Sequence, residues 1–426
     1  MLKNKPYAWV PSLYLAEALP YVAVMVIATT MYKRLGLSNT DLALYTSWLY
    51  LPWVIKPLWS PFVAAIRTER WWVLLMQLLI GAGFAGIAFT LPTSYWLQGS
   101  LAFFWLLAFA SATHDIAADG LYILGLDTHD QSLYVGIRST FYRIGNIVGQ
   151  GLLIMFAGWL ERSQTIPMAW SIAFMVLAGT FLALWLWHSV ALPKVNHQLS
   201  ASSAGQPTGE FVLISFWLAL KTFFTKPHIL SALLFMLLFR FPEGQLVKIA
   251  NPFLLDGVEA GGLGLSTESV GFVYGTVGII GLTVGGLLGG WCVSRHGLKR
   301  WLWPMVLSIS LPDLVYVYLA DAGQASFFMV NACVCIEQFG YGFGFTAYML
   351  YLVYFSQGER STAVFSICTA MQALGMMIPG MIAGWMADKL GYLNFFWWVM
   401  ACCLVTFAVS AFIKIDPEYG KKQDFT

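Results

Sequence analysis

Twelve apolar runs, each long enough to cross a bilayer, leave this chain one environment in which to fold. In its 426 residues they fall at 8–32, 42–65, 71–91, 96–124, 134–159, 168–190, 228–255, 267–292, 301–320, 324–355, 361–386 and 393–414. A hydrocarbon core about 30 Å thick takes about 20 helical residues to span. Inside it every backbone N–H and C=O must find a partner within the protein, so runs of this length can only be helices. Composition agrees: 59% of residues are hydrophobic and 10% charged, against roughly a quarter charged in soluble domains. The expected fold class is therefore an all-α polytopic membrane protein with twelve transmembrane helices. The first, fourth, seventh and tenth runs are interrupted by charge, Pro or Gly, as expected of helices that face a cavity rather than lipid.

One long polar segment, Pro193 to Glu210, has linker composition (Asn196-His-Gln-Leu-Ser-Ala-Ser-Ser-Ala-Gly-Gln-Pro-Thr-Gly209). It predicts an N-terminal six-helix bundle at 1–192, a cytoplasmic linker at 193–226 and a C-terminal six-helix bundle at 227–426. A repeat supports the split. Ala157-Gly158-Trp159 recurs as Ala383-Gly384-Trp385, Gly149 as Gly375 and Glu17 as Glu243, all at an offset of 226 residues. Two parallel half-repeats related by an axis along the membrane normal would give this pattern. Orientation follows from basic residues. With the N-terminal side inside, inner segments hold Lys3, Lys5, Arg67, Arg70, Lys194, Lys221, Lys226, Arg295, Lys299, Arg300, Arg360, Lys414, Lys421 and Lys422. Outer segments hold only Lys33, Arg34, Arg162 and Lys389. Both termini are expected in the cytoplasm. Lys56, Arg138, Arg143, Arg240 and Lys248 fall within helices, Lys248 as a side chain that snorkels outward.

The stretch richest in chemistry is Ser111-Ala-Thr-His-Asp115-Ile-Ala-Ala-Asp119-Gly-Leu-Tyr122. Asp115, Asp119 and Tyr122 are spaced i, i+4, i+7, so a helix sets them on one face. Carboxylates at bilayer depth are costly, face a bundle interior or a wet cavity, and mark pathways or relays. Either Asp119 pairs with a neighbouring helix or this face lines a binding cavity. Glu17, with Tyr14 at i−3 and Tyr21 at i+4, makes an acid flanked by two hydroxyl-bearing rings, suited to stacking on a sugar and bonding its hydroxyls. Arg143 begins a polar stripe with Asn146 and Gln150. It is expected at the depth of Asp119, where it could pair with Asp115 or Asp119 or clamp a substrate carboxylate bidentately. Arg240 and Glu243 can pair along one helix. Glu337-Gln338 is followed by Gly340, Gly342 and Gly344, which permit bending or close packing. Asp313, after Pro312, reads as structural. Glu17, Asp115, Asp119, Glu243 and Glu337 are the candidate proton carriers.

The loop Gly289-Gly-Trp-Cys-Val-Ser-Arg295-His-Gly297-Leu-Lys299-Arg300 resembles the Gly- and Arg/Lys-rich signature of the major facilitator superfamily. There Arg295, Lys299 and Arg300 would latch the inner gate by bonding helix-end carbonyls and acidic partners. The first-half counterpart, Lys56 to Arg67, departs from the pattern: the superfamily usually has an Asp near Ala64. Within the superfamily, Trp59-Ser60-Pro61 after a lysine, Ser111-Ala-Thr-His-Asp115-Ile-x-x-Asp119, Tyr142-Arg143-x-Gly145, Arg240-x-x-Glu243 and Glu337-Gln-x-x-x-Gly342 together resemble the AmpG-type muropeptide permeases, relatives of the eukaryotic acetyl-coenzyme A transporters. The resemblance spans helices two to eleven. It implies import of cell-wall fragments, an N-acetylglucosamine–anhydro-N-acetylmuramic acid unit with or without peptide, driven by the proton gradient across the cytoplasmic (inner) membrane of a bacterium. A symporter for another small or acidic sugar, or a coenzyme A ester transporter, are the alternatives.

Other classes fit poorly. Asp115-x-x-x-Asp119 could hold Mg²⁺ for a diphosphate, but such enzymes need a second aspartate-rich motif, and Asp313 and Asp388 stand alone. No HExxH, Gly-x-Ser-x-Gly or Walker loop is present. The net charge of +2, with no basic run, excludes a nucleic-acid partner. The six cysteines lie in apolar runs without CxxC spacing and read as small core residues. No cofactor or metal is expected. The expected partners are a small amino-sugar glycan or glycopeptide, protons and the lipid bilayer, with the protein a monomer.

Overall fold

The computed structural model describes residues 5–194, 209–358 and 360–421. The central part of the expected linker, 195–208, lies outside them. The described chain is helical throughout, and ten helices are long and apolar enough to cross a membrane. The spans expected at 42–65 and 324–355 are not among the ten, although both are helical.

In chain order the elements are α1 (Pro6–Arg34), α2 (Asn39–Trp48), α3 (Leu51–Ile66), α4 (Glu69–Thr90), α5 (Trp96–Gly125) and α6 (Thr128–Asn146). A π-helical turn, Ile147–Leu153, joins α6 to α7 (Ile154–Leu160), and α8 (Ile166–Ala191) follows. Then come α9 (Gly209–Phe224), α10 (Ile229–Leu255), α11 (Thr267–His296), α12 (Leu298–Ala322), α13 (Phe327–Ser356), α14 (Ser361–Leu390) and α15 (Tyr392–Phe412). The helix α9 stands where linker was expected. Phe211 to Leu220 is itself an apolar run, and Ala219 and Phe223 join a core with Phe235, Phe239 and Tyr348.

Three of the breaks within helices lie at or near prolines. Pro20 lacks an N–H for the helical ladder, and α1 passes into a π-helical turn at Ala23–Ile27. In α10 the ladder is interrupted at Arg240 and restarts at Phe241, with Pro242 in the first turn. A 3₁₀ turn, Leu311–Asp313, containing Pro312, interrupts α12 and buries Asp313. π-turns and proline breaks commonly re-aim side chains at functional positions.

Two compact units emerge. The first comprises Met1–Met31 and Ile55–Trp217, the second Tyr32–Val54 and Leu218–Thr426. One pair of the 226-residue repeat, Gly149 and Gly375, packs closely against a neighbouring helix in each unit. In the first unit a Cβ at Gly149 would press on Val22 Cγ1 of α1 at 3.0 Å; in the second, a Cβ at Gly375 would lie 2.6 Å from the Leu237 carbonyl oxygen of α10. At Gly375 it is the α10 backbone that leaves no room for a side chain; at Gly149 it is the Val22 side chain that comes close.

The closest seam of the second unit joins α11 and α13. Gly281, Gly285 and Gly289 recur every fourth residue and face Cys335, Phe339 and Phe343 backbone on α13, while Gly342 faces the Leu282 carbonyl in return. This is small-xxx-small packing. Gly340 and Gly344 of α13 face Ser308 and Met305 carbonyls on α12 instead. The run Gly340-x-Gly342-x-Gly344 thus packs an unbroken helix on two sides rather than bending it. Gly285→Leu is expected to destabilise by roughly 1–3 kcal/mol or more through overpacking. Gly290→Leu, with no atom within 4 Å of its Cβ position, should be tolerated. The melting temperature and monodisperse fraction of the two purified variants check this.

Tyr32–Val54, an N-terminal segment, belongs to the second unit through specific bonds. Lys33 pairs with Asp256 at 2.6 Å, and Asn39 Nδ2 donates to the Tyr392 hydroxyl at 3.1 Å. Thr40 gives its N–H and hydroxyl to Asp388 Oδ2 at 2.9 and 2.6 Å. Gly384 lets the α2 backbone at Asn39 come close to α14. Beneath this segment lies Lys248, 1% exposed rather than snorkelling. Its ammonium donates to Thr46 Oγ1 at 3.0 Å and sits 5.0 Å from the Tyr50 ring centre, with no ion pair among the described residues. Helix α2 covers the route to solvent that a lysine at a free helix face would take.

Candidate functional site

In the first unit the structure gathers Tyr14, Glu17, Lys56, Asp115, Asp119, Tyr122 and Arg138. Asp115 and Asp119 project from one face of α5, one turn apart, as the i, i+4 spacing predicts. Asp115 pairs with Lys56 of α3. Asp119 accepts from Arg138 Nη2 of α6 at 3.0 Å and from the Tyr14 hydroxyl of α1 at 3.1 Å. The Arg138 guanidinium lies 4.5 Å from the Tyr14 ring centre and 4.9 Å from that of Tyr122. The two rings meet edge to face at 5.8 Å. Stacking plus a charge-assisted bond fixes the planar fork better than either alone. Glu17 is 9% exposed and neighbours Asp115, Asp119, Arg138 and Lys56. Its buried Oε2 accepts no hydrogen bond from any described residue.

Arg138 holds the place expected for Arg143, and the tight α5–α6 turn is the reason. Helix α5 ends at Gly125 and α6 starts at Thr128, with the Asp127 side chain accepting from the Asp130 N–H. Tyr122 donates to the Gln131 carbonyl at 2.5 Å, and Gln131 returns to the Leu126 carbonyl at 3.0 Å. Asp119 and Arg138 then lie eight and eleven residues from Asp127, about 12 and 16 Å along antiparallel helices. Arg143 is about a turn and a half deeper and makes no ion pair among the described residues. Asn146 and Gln150 are both half-buried, Asn146 at the end of α6 and Gln150 within the π-helical turn Ile147–Leu153. Tyr21 stays half-buried on the α1 face that carries Glu17.

A second polar chain supports α5 from behind. The Gln77 amide nitrogen lies 2.8 Å from His188 Nδ1 and 3.1 Å from His114 Nε2, and His188 Nε2 lies 2.9 Å from Ser12 Oγ. His188 Nδ1 also lies 3.0 Å from Gln77 Oε1, so the amide can bridge to it in either tautomer, while His114 Nδ1 is buried without a partner among the described residues. Four helices (α1, α4, α5 and α8) are tied together one residue from Asp115.

The second unit holds two clusters. Arg240, at the break in α10, makes a bidentate pair with Glu243, 2.9 Å from Nε to Oε2 and 2.6 Å from Nη2 to Oε1. It also donates to the Tyr341 hydroxyl at 2.8 Å and lies 4.7 Å from the Phe345 ring centre. Glu337 accepts from the Tyr316 hydroxyl at 3.2 Å and the Gln338 amide at 3.0 Å, and Tyr316 bonds the Tyr274 hydroxyl. This is a buried hydroxyl chain ending on a carboxyl group. The loop residues Arg295, Lys299 and Arg300 are exposed, and among the described residues none makes an ion pair. Arg295 stacks 4.7 Å from the Trp291 ring centre. The loop is pinned instead by backbone: Leu298 N–H donates to the Tyr419 carbonyl at 3.0 Å, with Gly297 at φ +82°.

Lys56 and Arg138 were legible only as intramembrane cations without assigned partners; the need of each intramembrane carboxylate for a cation was the available signal. Lys56→Met alone should leave Asp115 without its cation and destabilise by about 3–5 kcal/mol. Lys56→Met with Asp115→Leu should recover most of that loss. Melting temperatures of the two single variants and the double check the coupling.

Comparison with known proteins agrees with this architecture. The family model described as Major Facilitator Superfamily matches residues 12–378 and again 246–425. The anhydromuropeptide permease of Escherichia coli is 23% identical over 403 residues, covering 93% of this chain and 77% of the permease. An uncharacterized protein of Haemophilus influenzae is 26% identical over 367 residues, covering 82% and 81%. The crystal structure of the nucleoside transporter NupG superposes with a TM-score of 0.74 at 15% identity, over 96% of this chain and all of that one. The fold and the relatives are those of transporters, not enzymes, and place the chain as a multi-pass protein of the bacterial inner membrane that handles a small-molecule substrate. On the strength of a family model that matches most of its length, this chain belongs to the Major Facilitator Superfamily.

Proposed function

We propose that the protein imports cell-wall-derived amino-sugar fragments, muropeptides among them, by proton symport through alternating access. In this reading twelve helices form two six-helix bundles, 1–192 and 227–426, joined by a cytoplasmic linker at 193–226, with both termini in the cytoplasm. The observation that carries the reading is the first-unit cluster: three carboxyl groups, two cations and two tyrosine rings inside an apolar bundle, with one Glu17 oxygen left unbonded. The tyrosine rings, buried with Arg138 over them, hold the cluster in place, and its carboxylates suit sugar hydroxyls. Arg138 is a cation for a carboxylate that such a fragment carries, and Arg240 is released for the same work when Glu243 takes a proton. Glu17, Asp115, Asp119, Glu243 and Glu337, with Gln338 beside the last, are the proton-handling groups. Arg143, Asn146, Gln150 and Tyr21 lie farther along the same helices and contribute less, and Arg295, Lys299 and Arg300 act at the inner gate. The similarity to the Escherichia coli permease favours muropeptides over simpler sugars.

An uptake screen in proteoliposomes tests the substrate. The disaccharide N-acetylglucosaminyl-anhydro-N-acetylmuramic acid, with and without peptide, should be taken up in preference to free amino sugars, acidic sugars and coenzyme A esters. Preferential uptake of any of the last three would reject the muropeptide reading while leaving the symporter reading to its own test.

A further inference from the structure

A cavity of about 460 Å³ opens in the second unit where three helices end. Its walls come from the segment before α10 (Lys226 and His228), the end of α13 (Tyr351 and Tyr354) and the tail after α15 (Lys414 and Asp416). None of these residues belongs to the transport cluster.

The charge in this cavity is unbalanced. Lys226 is held in place: its ammonium donates to the Gln357 carbonyl at 2.6 Å and sits 5.4 Å from the Phe355 ring centre. Two of its three protons remain to be given. Burial pushes Lys226 below the ordinary lysine range, which an anion beside it would reverse. Lys414 is exposed and makes no ion pair among the described residues. His228 takes a left-handed backbone conformation, φ 59°, that a non-glycine residue rarely adopts without a local reason. The one acid, Asp416, is turned into its own chain, where Oδ1 accepts the Glu418 N–H at 2.9 Å. Two ammonium groups and an imidazole therefore face one carboxylate that is already engaged.

Position and size narrow the ligand. Two candidate membrane spans, Ile229–Leu255 and Tyr392–Phe412, begin and end beside the cavity, the level at which a spanning helix meets lipid headgroups. The volume exceeds that of a lone ion, and the tyrosine wall is amphipathic, as at membrane interfaces. Basic pockets between helices at such a level recognise anionic headgroups. We propose that this cavity binds a phosphate group, with Lys226 and Lys414 as its principal cations, the phosphate being carried by an anionic phospholipid or free in solution.

The test uses the purified, delipidated full chain. Binding of phosphatidylglycerol and of phosphatidylcholine is measured by native mass spectrometry, and melting temperature is followed with inorganic phosphate against chloride at equal ionic strength. Phosphatidylglycerol is expected to bind about ten-fold tighter than phosphatidylcholine. Lys226→Gln and Lys414→Gln should each weaken it roughly five-fold, the worth of one basic residue near an anionic surface. Stabilisation by inorganic phosphate alone, lost in the same variants, would support the site with free phosphate as its source. Equal retention of the two lipids with no response to phosphate would overturn the proposal, as would variants that bind like wild type. Lys414 is exposed and unbonded, so its variant folds even if Lys226→Gln does not, and it keeps the test decisive.

Discussion

Arg138→Gln and Asp119→Asn are each expected to lower active uptake on the order of a hundred-fold at wild-type expression, whereas Arg143→Gln should cost no more than a few-fold. The pair is part-exposed, 31% for Arg138 and 43% for Asp119, so either change costs little folding stability, about 0–1 kcal/mol, and the variants should still reach the membrane. The loss is functional because Arg138 also holds the Tyr14 and Tyr122 rings at 4.5 and 4.9 Å. Without the guanidinium, the two rings lose their common partner and Glu17 loses a neighbouring charge. Arg138→Lys keeps the charge but not the planar fork, and should fall between wild type and Arg138→Gln. Uptake per mole of membrane-inserted protein is the measurement. A dead Arg143→Gln beside an active Arg138→Gln would show that α6 presents a different face to the substrate.

Glu17→Gln is expected to abolish accumulation against a gradient while sparing exchange of substrate across the membrane. Glu17 is buried, its Oε2 is unbonded, and two further carboxylates and two cations surround it. A carboxyl group so placed can gain or lose a proton as Arg138 or Lys56 shifts between partners, which links protonation to occupancy of the cluster. Glutamine keeps the shape and the hydrogen-bonding capacity but cannot carry the proton. Accumulation ratio under an imposed proton gradient should fall to about one, and counterflow with substrate on both sides should stay within a few-fold of wild type. Retained accumulation would move the proton-carrying role to Glu243 or Glu337, whose neighbours are Arg240 and the Tyr316–Tyr274 hydroxyl chain.

Much of the fold was legible because hydropathy and helical period act locally. Ten of the twelve runs of spanning length, the shared face of Asp115 and Asp119 and the Arg240–Glu243 pairing all depend on spacing within one helix or on composition. What was not legible depends on register between helices. Arg138 replaces Arg143 because a turn two residues long, pinned by Asp127 and Gln131, shifts α6 against α5. Lys56 finds Asp115 across 59 residues of sequence, and Gln77 joins His114 to His188 across three helices; no local pattern announces either. Lys248 is buried rather than snorkelling because a segment from the N-terminal half, Tyr32–Val54, covers it. The helix α9 was hidden in the linker because its neighbours in sequence, 195–208, are so polar that they colour the whole stretch.

The central claim is that substrate movement and proton movement are one process. It is tested most directly in proteoliposomes loaded at neutral pH and diluted into acidic medium containing labelled N-acetylglucosaminyl-anhydro-N-acetylmuramic acid. The account predicts accumulation above the external concentration, collapse of that gradient by a protonophore, and an inward proton current that appears only when substrate is present. Uptake that only equilibrates, or that is indifferent to protonophore and external pH, would contradict it.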